Sequence, residues 1–260
     1  IAADLMKVNA VRIFHEQAIF KHPGDTKSYW HQDQFFWPLD TNLHIGLWMP
    51  LIDCNKDNCD IAFLPHRMLG VDIRITSKNA KLVDELINTI VPRIKKYVYG
   101  FDKDKLEQVM ADLLLKRNLT VSTAESCTSG LLAARLTDVP GSSKYFKGGS
   151  VCYSNELKIN DIGVNSDLIE RYGAVSEEVA EALAKNIAKK NNSDIGIGIT
   201  GIAGPDGGTE KKPVGLVFVG IFYQNNLYIK KYNLTPDRIT NRELTVILCL
   251  NEIRKILRNS

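Results

Sequence analysis

From residue 101 onward, stretches with strand character alternate with stretches of helical spacing. An apolar helical face within 102–118 is followed by a strand "LTVSTA", a helix "SGLLAARLTD" and a strand "GGSVCYS". Next come a helix "SEEVAEALAKNIAKKNN" with Ser176 as its predicted N-cap, a strand "DIGIGIT", a hairpin with the turn "QNN", and a helix from about Arg238 to Leu257. This order requires a sheet covered by helices on both faces. We therefore predict an α/β fold, a three-layer α/β/α sandwich with a mixed sheet.

A break in composition near residue 70 separates this region from a different one. All five His and all three Trp lie in the first 69 residues, together with short strand-like segments separated by polar turns. Residues 71–100 contain a strand, "VDIRIT", and a helical pattern with a kink or break at Pro92. The sequence therefore predicts a partial β segment at 1–70, a strand-helix connector at 71–100 and one α/β domain at 101–260.

Charge and cysteine content narrow the class of function. The net charge of +3 is spread along the chain, without the basic footprint of a nucleic-acid-binding protein. The five cysteines are scattered and form no C-x-x-C pair, which argues against both a disulfide framework and a zinc site. The sequence has no apolar run of spanning length and no signal peptide pattern. We expect a cytoplasmic protein that binds neither nucleic acid nor membrane.

Small hydroxyl side chains stand where the first strand of the α/β domain meets a helix. In "ESCTSG", Ser126 and Thr128 follow the strand, beside free backbone N–H groups and the positive end of the helix dipole. This position suits a nucleophile whose attack generates an oxyanion. From the residues alone, however, the N-cap of the helix is the favoured interpretation. Cys127 is a rival nucleophile, but the domain contains no histidine to activate it.

Without histidine, a general base in this domain must be a lysine, a tyrosine or a carboxylate. The stretch "YSNELK" offers Tyr153 and Lys158 just after a strand. A lysine desolvated in a closed pocket can lose its proton near neutral pH. The alternative interpretation of Lys158 is a surface lysine on a helix.

Two groups of glycines, one in the strand "GIGIT" and one in the loop after it, could each be functional or purely structural. The G-x-G-x-x-G match through Gly196, Gly198 and Gly201 is not followed by a helix pattern, so we expect close packing of a central strand rather than a dinucleotide site. The following loop, which contains Gly204, can present backbone N–H groups to an anion or be an ordinary surface loop. Arg238 and Arg242, four residues apart on one helical face, could clamp a phosphate or be solvated.

The N-terminal segment "YWHQDQFFWPLDTNLHIGLWMPLIDC" resembles the phytanoyl-CoA dioxygenase family of iron(II)- and 2-oxoglutarate-dependent oxygenases. His31 and Asp33 match the H-x-D pair of that family, which implies Fe(II) and 2-oxoglutarate as cofactors if the fragment were functional. A facial triad needs a distal second histidine, and the chain has none after His66. We therefore expect a truncated jelly-roll fragment in which His31 and Asp33 are vestigial metal candidates.

The α/β region resembles the C-terminal domain of CinA proteins, the nicotinamide-nucleotide amidohydrolases. The resemblance rests on "TAESCTSG", "LTDVPGSSKYFKGGSVCYSNELK", "GAVSEEVAEALA", "ITGIAGPDGGTEKKPVGLVFVG" and "DRITNR", and it covers residues 101 to about 257. Residues 71–100 are similar to the end of the segment that precedes this domain in full-length CinA proteins. Two departures are "TSG", with Ser129, in place of the usual "TGG", and "TPDR" in place of "GDR".

This resemblance implies hydrolysis of nicotinamide mononucleotide to nicotinate mononucleotide and ammonia, in pyridine-nucleotide recycling, without metal or cofactor. It implies Ser126 as nucleophile, Lys158 as base, and Tyr153 as the residue that orients or relays the proton. Thr200 matches a further site position, and Arg238 or Arg242 would hold the substrate phosphate. The other expected substrate-binding residues are Glu125, Cys127, Thr128, Gly201 and Gly204. The resemblance also implies a homodimer. The alternatives are a catalytically silent nucleotide-binding or assembly module and, third, an oxygenase.

Overall fold

A computed structural model of the chain describes residues 59–66 and 70–259. Contacts divide the chain into two compact units, residues 1–95 and 96–260. In the first unit, strand β1 (Asp60–His66) pairs antiparallel with β2 (Gly70–Thr76), and helix α1 (Ala80–Ile94) follows. The predicted strand at 71–76 is confirmed, and α1 ends two residues after Pro92.

The second unit is built on a five-stranded mixed sheet with the strand order β4-β3-β5-β6-β7. Strands β4, β3 and β5 are parallel, whereas β6 and β7 form an antiparallel hairpin beside β5. Gln224 and Asn225 form the hairpin turn with φ of 51° and 60°, as the right-handed twist of a hairpin favours. The five strands are β3 (Val121–Glu125), β4 (Phe146–Val151), β5 (Ile195–Gly201), β6 (Leu216–Tyr223) and β7 (Asn226–Asn233).

Helices connect and cover these strands. Helix α6 begins after Ser176, whose hydroxyl accepts from the Val179 N–H at 3.3 Å, so the predicted N-cap is confirmed. A helix at Lys158 was expected only in the alternative interpretation of that residue, and it is the short α4 (Asn155–Asn160). No sequence pattern predicted α5 (Ser166–Tyr172). Each helix that the structure describes is too short or too polar to cross a lipid bilayer. The helices of this unit are α2 (Leu106–Lys116), α3 (Leu131–Thr137), α4 (Asn155–Asn160), α5 (Ser166–Tyr172), α6 (Glu177–Asn191) and α7 (Arg238–Asn259).

Alternation along β5 produces the two apolar layers of the sandwich. Ile195, Ile197 and Ile199 are buried in one cluster with apolar residues of α2, α3 and α7. The intervening glycines lie against α6: a Cβ atom would be 2.0 Å from the Ala184 carbonyl oxygen at Gly196 and 2.5 Å from the Ala180 carbonyl oxygen at Gly198. The prediction of a close-packed central strand is therefore confirmed, as is the α/β fold with a mixed sheet between helices.

Candidate functional site

The predicted catalytic segments meet where the parallel strands end. The Ser126 N–H donates to the Ile199 carbonyl at 3.0 Å, and the Cys152 N–H donates to the Glu125 carbonyl at 2.9 Å. The chain leaving β3 is thereby held between the ends of β5 and β4. The carboxyl edge of a parallel sheet is the usual place for a ligand site in α/β proteins.

The Glu125 carboxylate caps helix α3. It accepts the backbone N–H groups of Gly130, Leu132 and Ala133 at 3.1, 3.0 and 2.8 Å, and Glu125 is only 1% exposed. The N-cap position is occupied by Gly130, which makes no side-chain cap bond. The interpretation of Ser126 or Thr128 as the N-cap is therefore wrong, because Gly130 occupies that position and the Glu125 side chain accepts the first N–H groups. The Ser126 hydroxyl is not used for capping.

This capping also changes which donors could stabilise an oxyanion. The first N–H groups of α3 are bonded to Glu125. The backbone N–H groups of Cys127 and Thr128 have no acceptor in another described residue. Both N–H groups follow Ser126 directly in the chain. Ser129 closes the turn with φ of 51°, and its N–H donates to the Ser126 carbonyl at 3.1 Å; the left-handed conformation explains why glycine suits this position.

Lys158 is buried in the last turn of the short helix α4. Lys158 is only 2% exposed. Its Nζ donates to the Tyr153 carbonyl at 2.9 Å and to the Ser154 carbonyl at 3.4 Å. Burial lowers the pKa of Lys158 below its ordinary value, while Cys152, Cys127 and Tyr153 act in the opposite direction. The interpretation of Lys158 as a surface lysine is therefore wrong. A lowered pKa makes the neutral amine, which can accept a proton, more accessible near neutral pH.

The thiol beside Ser126 is buried and protonated. Burial raises the pKa of Cys127 to about 12, and the charges of Lys158 and Arg242 only partly oppose this effect. Burial likewise raises the pKa of Cys152 to about 11. Because the thiolate is the nucleophilic form, neither cysteine is activated at neutral pH. The Cys127 side chain packs in the apolar core.

Two arginines of α7 join the edge of the site. The Arg238 guanidinium donates through Nη1 to the Gly204 carbonyl at 2.9 Å and through Nη2 to the Tyr153 hydroxyl at 3.1 Å. The Arg242 Nη2 donates to the Thr128 carbonyl at 3.1 Å. The Arg242 Nε and the Thr128 hydroxyl are buried and have no partner among the described residues. The first turns of α7 thus bring together the segments that leave β3, β4 and β5.

Thr200 and Gly201 lie at the end of β5. The Thr200 hydroxyl donates to the Ala174 carbonyl at 2.7 Å, and Thr200 is buried. This bond ties β5 to the turn before α6, which gives Thr200 a supporting position beside the site. A Cβ atom at Gly201 would lie 3.0 Å from the Cys127 Sγ, so glycine here permits the two segments to approach.

Two polar residues without a role predicted from the sequence hold the loop at 201–213, the glycine-rich loop. Asn241 is buried, and its amide donates to the Ala203 carbonyl at 2.9 Å and to the Thr235 carbonyl at 2.7 Å. Lys212 donates to the Val175 carbonyl at 2.7 Å and also to the Tyr172 carbonyl. A polar side chain one turn into an amphipathic helix was the available signal for Asn241, whereas nothing in the loop sequence distinguished Lys212.

The metal candidates His31 and Asp33 lie outside the described residues. Within residues 59–66 and 70–259, no three side chains of His, Cys, Asp or Glu come together as a metal site would require. The oxygenase interpretation therefore stays a prediction about the first 58 residues.

The fold and the site define a class of protein: an α/β/α domain that places a serine hydroxyl and a buried lysine at the carboxyl edge of a mixed sheet. Residues 103–257 match the family model of the CinA C-terminal domain. The chain belongs to this family. Residues 2–70 match the family model of phytanoyl-CoA dioxygenase (PhyH), so both resemblances expected from the sequence are confirmed.

Individual relatives agree with this assignment. The chain is similar to a CinA-like protein of Dictyoglomus thermophilum, at 46% identity over 194 residues that cover 74% of this chain and 47% of that protein. A CinA-like protein of Dictyoglomus turgidum is 42% identical with the same coverage. The crystal structure of competence/damage inducible protein CihA from Agrobacterium tumefaciens superposes with a TM-score of 0.56 at 33% identity, over 61% of this chain and 99% of that one. The chain spans about half the length of the curated relatives it matches.

Proposed function

We propose that the α/β domain hydrolyses the carboxamide of nicotinamide mononucleotide to nicotinate mononucleotide and ammonia. The observation that carries the proposal is the buried Lys158, whose pKa is lowered and whose amine is bonded to the segment that follows β4. That segment is bonded to the end of β3, directly before Ser126. The amide substrate is proposed from the resemblance to the CinA amidohydrolases, because the residue chemistry alone would suit several acyl compounds.

In the proposed reaction, the Ser126 Oγ attacks the carboxamide carbon while Lys158, as the neutral amine, takes the hydroxyl proton. The tetrahedral intermediate collapses, ammonia leaves with a proton returned from Lys158, and an acyl ester remains on Ser126. Water then attacks the ester, with Lys158 again as base, and releases the nicotinate product. Tyr153 orients or relays the proton that moves between Ser126, Lys158 and the leaving ammonia. No metal or cofactor enters this scheme.

Backbone N–H groups would stabilise the oxyanion that forms during the reaction, and an arginine would bind the phosphate of the substrate. The N–H groups of Cys127 and Thr128 would bond the oxyanion, and each such donor is worth about 3 kcal/mol in enzymes of this kind. Arg238 or Arg242 would hold the phosphate as a charge-assisted contact. Glu125 would act indirectly, by fixing α3 and with it the turn at residues 126–129.

The direct test is ammonia release from nicotinamide mononucleotide by the whole chain and by its Ser126→Ala variant. We expect turnover by the wild type and its loss in the variant, with unchanged affinity for the nucleotide in calorimetry. One observation favours the silent binding module instead: both hydrogen bonds of the Lys158 amine go to backbone carbonyls, as in a purely structural lysine. Nucleotide binding by the wild type without ammonia release would establish that alternative and refute the amidohydrolase.

A further inference from the structure

Arg238 joins three separate segments at the edge of the candidate site. It is the first residue of α7, and its guanidinium bonds the Gly204 carbonyl in the glycine-rich loop and the Tyr153 hydroxyl after β4. Each terminal nitrogen therefore donates one hydrogen bond within the protein. A guanidinium in such a two-sided contact orients its partners more than a lysine could, because its donors are fixed in one plane.

Tyr153 accepts hydrogen bonds at both ends, one from Lys158 and one from Arg238. Its backbone carbonyl accepts from Lys158 at 2.9 Å, and its hydroxyl accepts from Arg238 at 3.1 Å. The residue is nevertheless 54% exposed, so the ring would be free to rotate into solvent without the Arg238 contact. Because a guanidinium only donates, the Tyr153 hydroxyl is the acceptor of this bond, and its own proton remains available to another group.

We propose that Arg238 is a positioning residue that acts through Tyr153 and Gly204 and does not hold the substrate phosphate. This inference rests on the proposed amidohydrolase function. Arg238 holds the Tyr153 hydroxyl as an acceptor, which leaves the tyrosine proton for another group, and it holds the glycine-rich loop through the Gly204 carbonyl. Its removal therefore slows the chemical step and leaves phosphate recognition intact.

The kinetic test compares Arg238→Gln, Tyr153→Phe and the double variant on two substrates, the mononucleotide and the corresponding riboside without phosphate. We expect each single variant to lower kcat by roughly 10- to 100-fold, the range of a lost charge-assisted hydrogen bond. KM for the mononucleotide stays within about threefold of wild type. The double variant is no slower than the slower single variant, because both changes remove one unit. The fold-loss in Arg238→Gln is the same for both substrates.

Two kinetic results would overturn the proposal. A rise in KM confined to the phosphorylated substrate would assign Arg238 to the phosphate. Multiplicative losses in the double variant would show that Arg238 and Tyr153 act separately.

A second readout does not depend on turnover, so it separates this inference from a failure of the proposed function. The nine tyrosines are labelled with ¹³C at Cζ, and the Tyr153 resonance is assigned by its loss in Tyr153→Phe. Arg238→Gln should shift that resonance and accelerate amide hydrogen exchange in residues 202–208. The matched control, Lys189→Gln in the last turn of α6, should change neither. If the Tyr153 resonance and the loop exchange of Arg238→Gln equal those of wild type, Arg238 does not position these groups, whether or not the wild type releases ammonia.

Discussion

At the residue scale, the environment of one amine separates a catalytic interpretation from a structural one. The letters "NELK" allow either an exposed or a buried lysine, and helical spacing does not decide between them. The fold shows that Lys158 is buried and that its amine donates to the backbone carbonyls of Tyr153 and Ser154, just after β4. Burial lowers the pKa of Lys158, because the charged amine loses hydration.

Lys158→Met tests this environment through both activity and pH dependence. We expect kcat to fall by at least about 100-fold, the lower range for loss of a general base. In the unfolded chain the amine has its ordinary pKa of 10.5, whereas burial lowers the pKa in the folded protein. Between these two values the unfolded state binds more protons, so the free energy of unfolding of the wild type rises with pH. The variant lacks this ionisation.

The measurement is urea unfolding of both proteins at several pH values from about 7 to about 10. The stability of wild type relative to Lys158→Met should increase with pH. A difference that is constant or decreases with pH would mean that the pKa of Lys158 is not lowered in the folded protein.

At the element scale, β5 positions the site through its two different faces. One face carries Gly196 and Gly198, and the other carries isoleucines. Its glycines let α6 lie directly on the sheet, and its isoleucines build the opposite core. The bond from Ser126 to the end of this strand then places the predicted nucleophile. The position of Ser126 therefore depends on the close contact between α6 and the glycines of β5.

Gly198→Ala should disrupt this contact. The added methyl carbon would lie 2.5 Å from the Ala180 carbonyl oxygen and 2.5 Å from the Ala184 nitrogen, both backbone atoms that cannot move aside. We expect a loss of about 3 kcal/mol or more in the free energy of unfolding. In the control Gly141→Ala, nothing lies within 4 Å of the new methyl group and only the φ of +85° is unfavourable, so the loss should be about 1–2 kcal/mol. Equal losses in chemical denaturation would contradict the steric argument.

Much of this element level could be predicted from the sequence, because periodicity and turn residues are local signals. The hairpin turn, the Ser176 N-cap and the glycine-rich strand were all predicted in this way. The cap of α3 could not be predicted, because it requires Glu125 to reach Ala133, eight residues later, across a turn whose geometry is set by neighbouring strands. The link between Arg238 and Tyr153 joins residues 85 positions apart and has no local signature.

At the scale of the whole molecule, the second unit includes a short segment before the predicted start of the α/β domain. Arg254 is 1% exposed and donates to the Val98 carbonyl at 3.0 Å and to the Lys96 carbonyl at 3.1 Å. Arg258 donates to the Val98 and Tyr99 carbonyls at 2.8 and 2.9 Å. Residues 96–99 thus pack with the C-terminal half of α7, whose first turns carry the arginines of the site.

A fragment of residues 96–260 should therefore be more stable than one of residues 101–260. The shorter fragment lacks the carbonyl acceptors and leaves a buried guanidinium with fewer partners, which costs about 3 kcal/mol or more. Urea unfolding of the two fragments measures the difference. Equal free energies of unfolding would show that these contacts contribute nothing to the stability of the second unit.

The central claim is that Ser126 forms an acyl intermediate with the carboxamide substrate. Acid quenching during turnover of nicotinamide mononucleotide, followed by peptide mass spectrometry, tests it most directly. The account predicts an adduct, of the mass of the substrate minus ammonia, on the Ser126 hydroxyl in the wild-type chain and none in Ser126→Ala. An adduct on Cys127, or ammonia release that persists in Ser126→Ala, would contradict it.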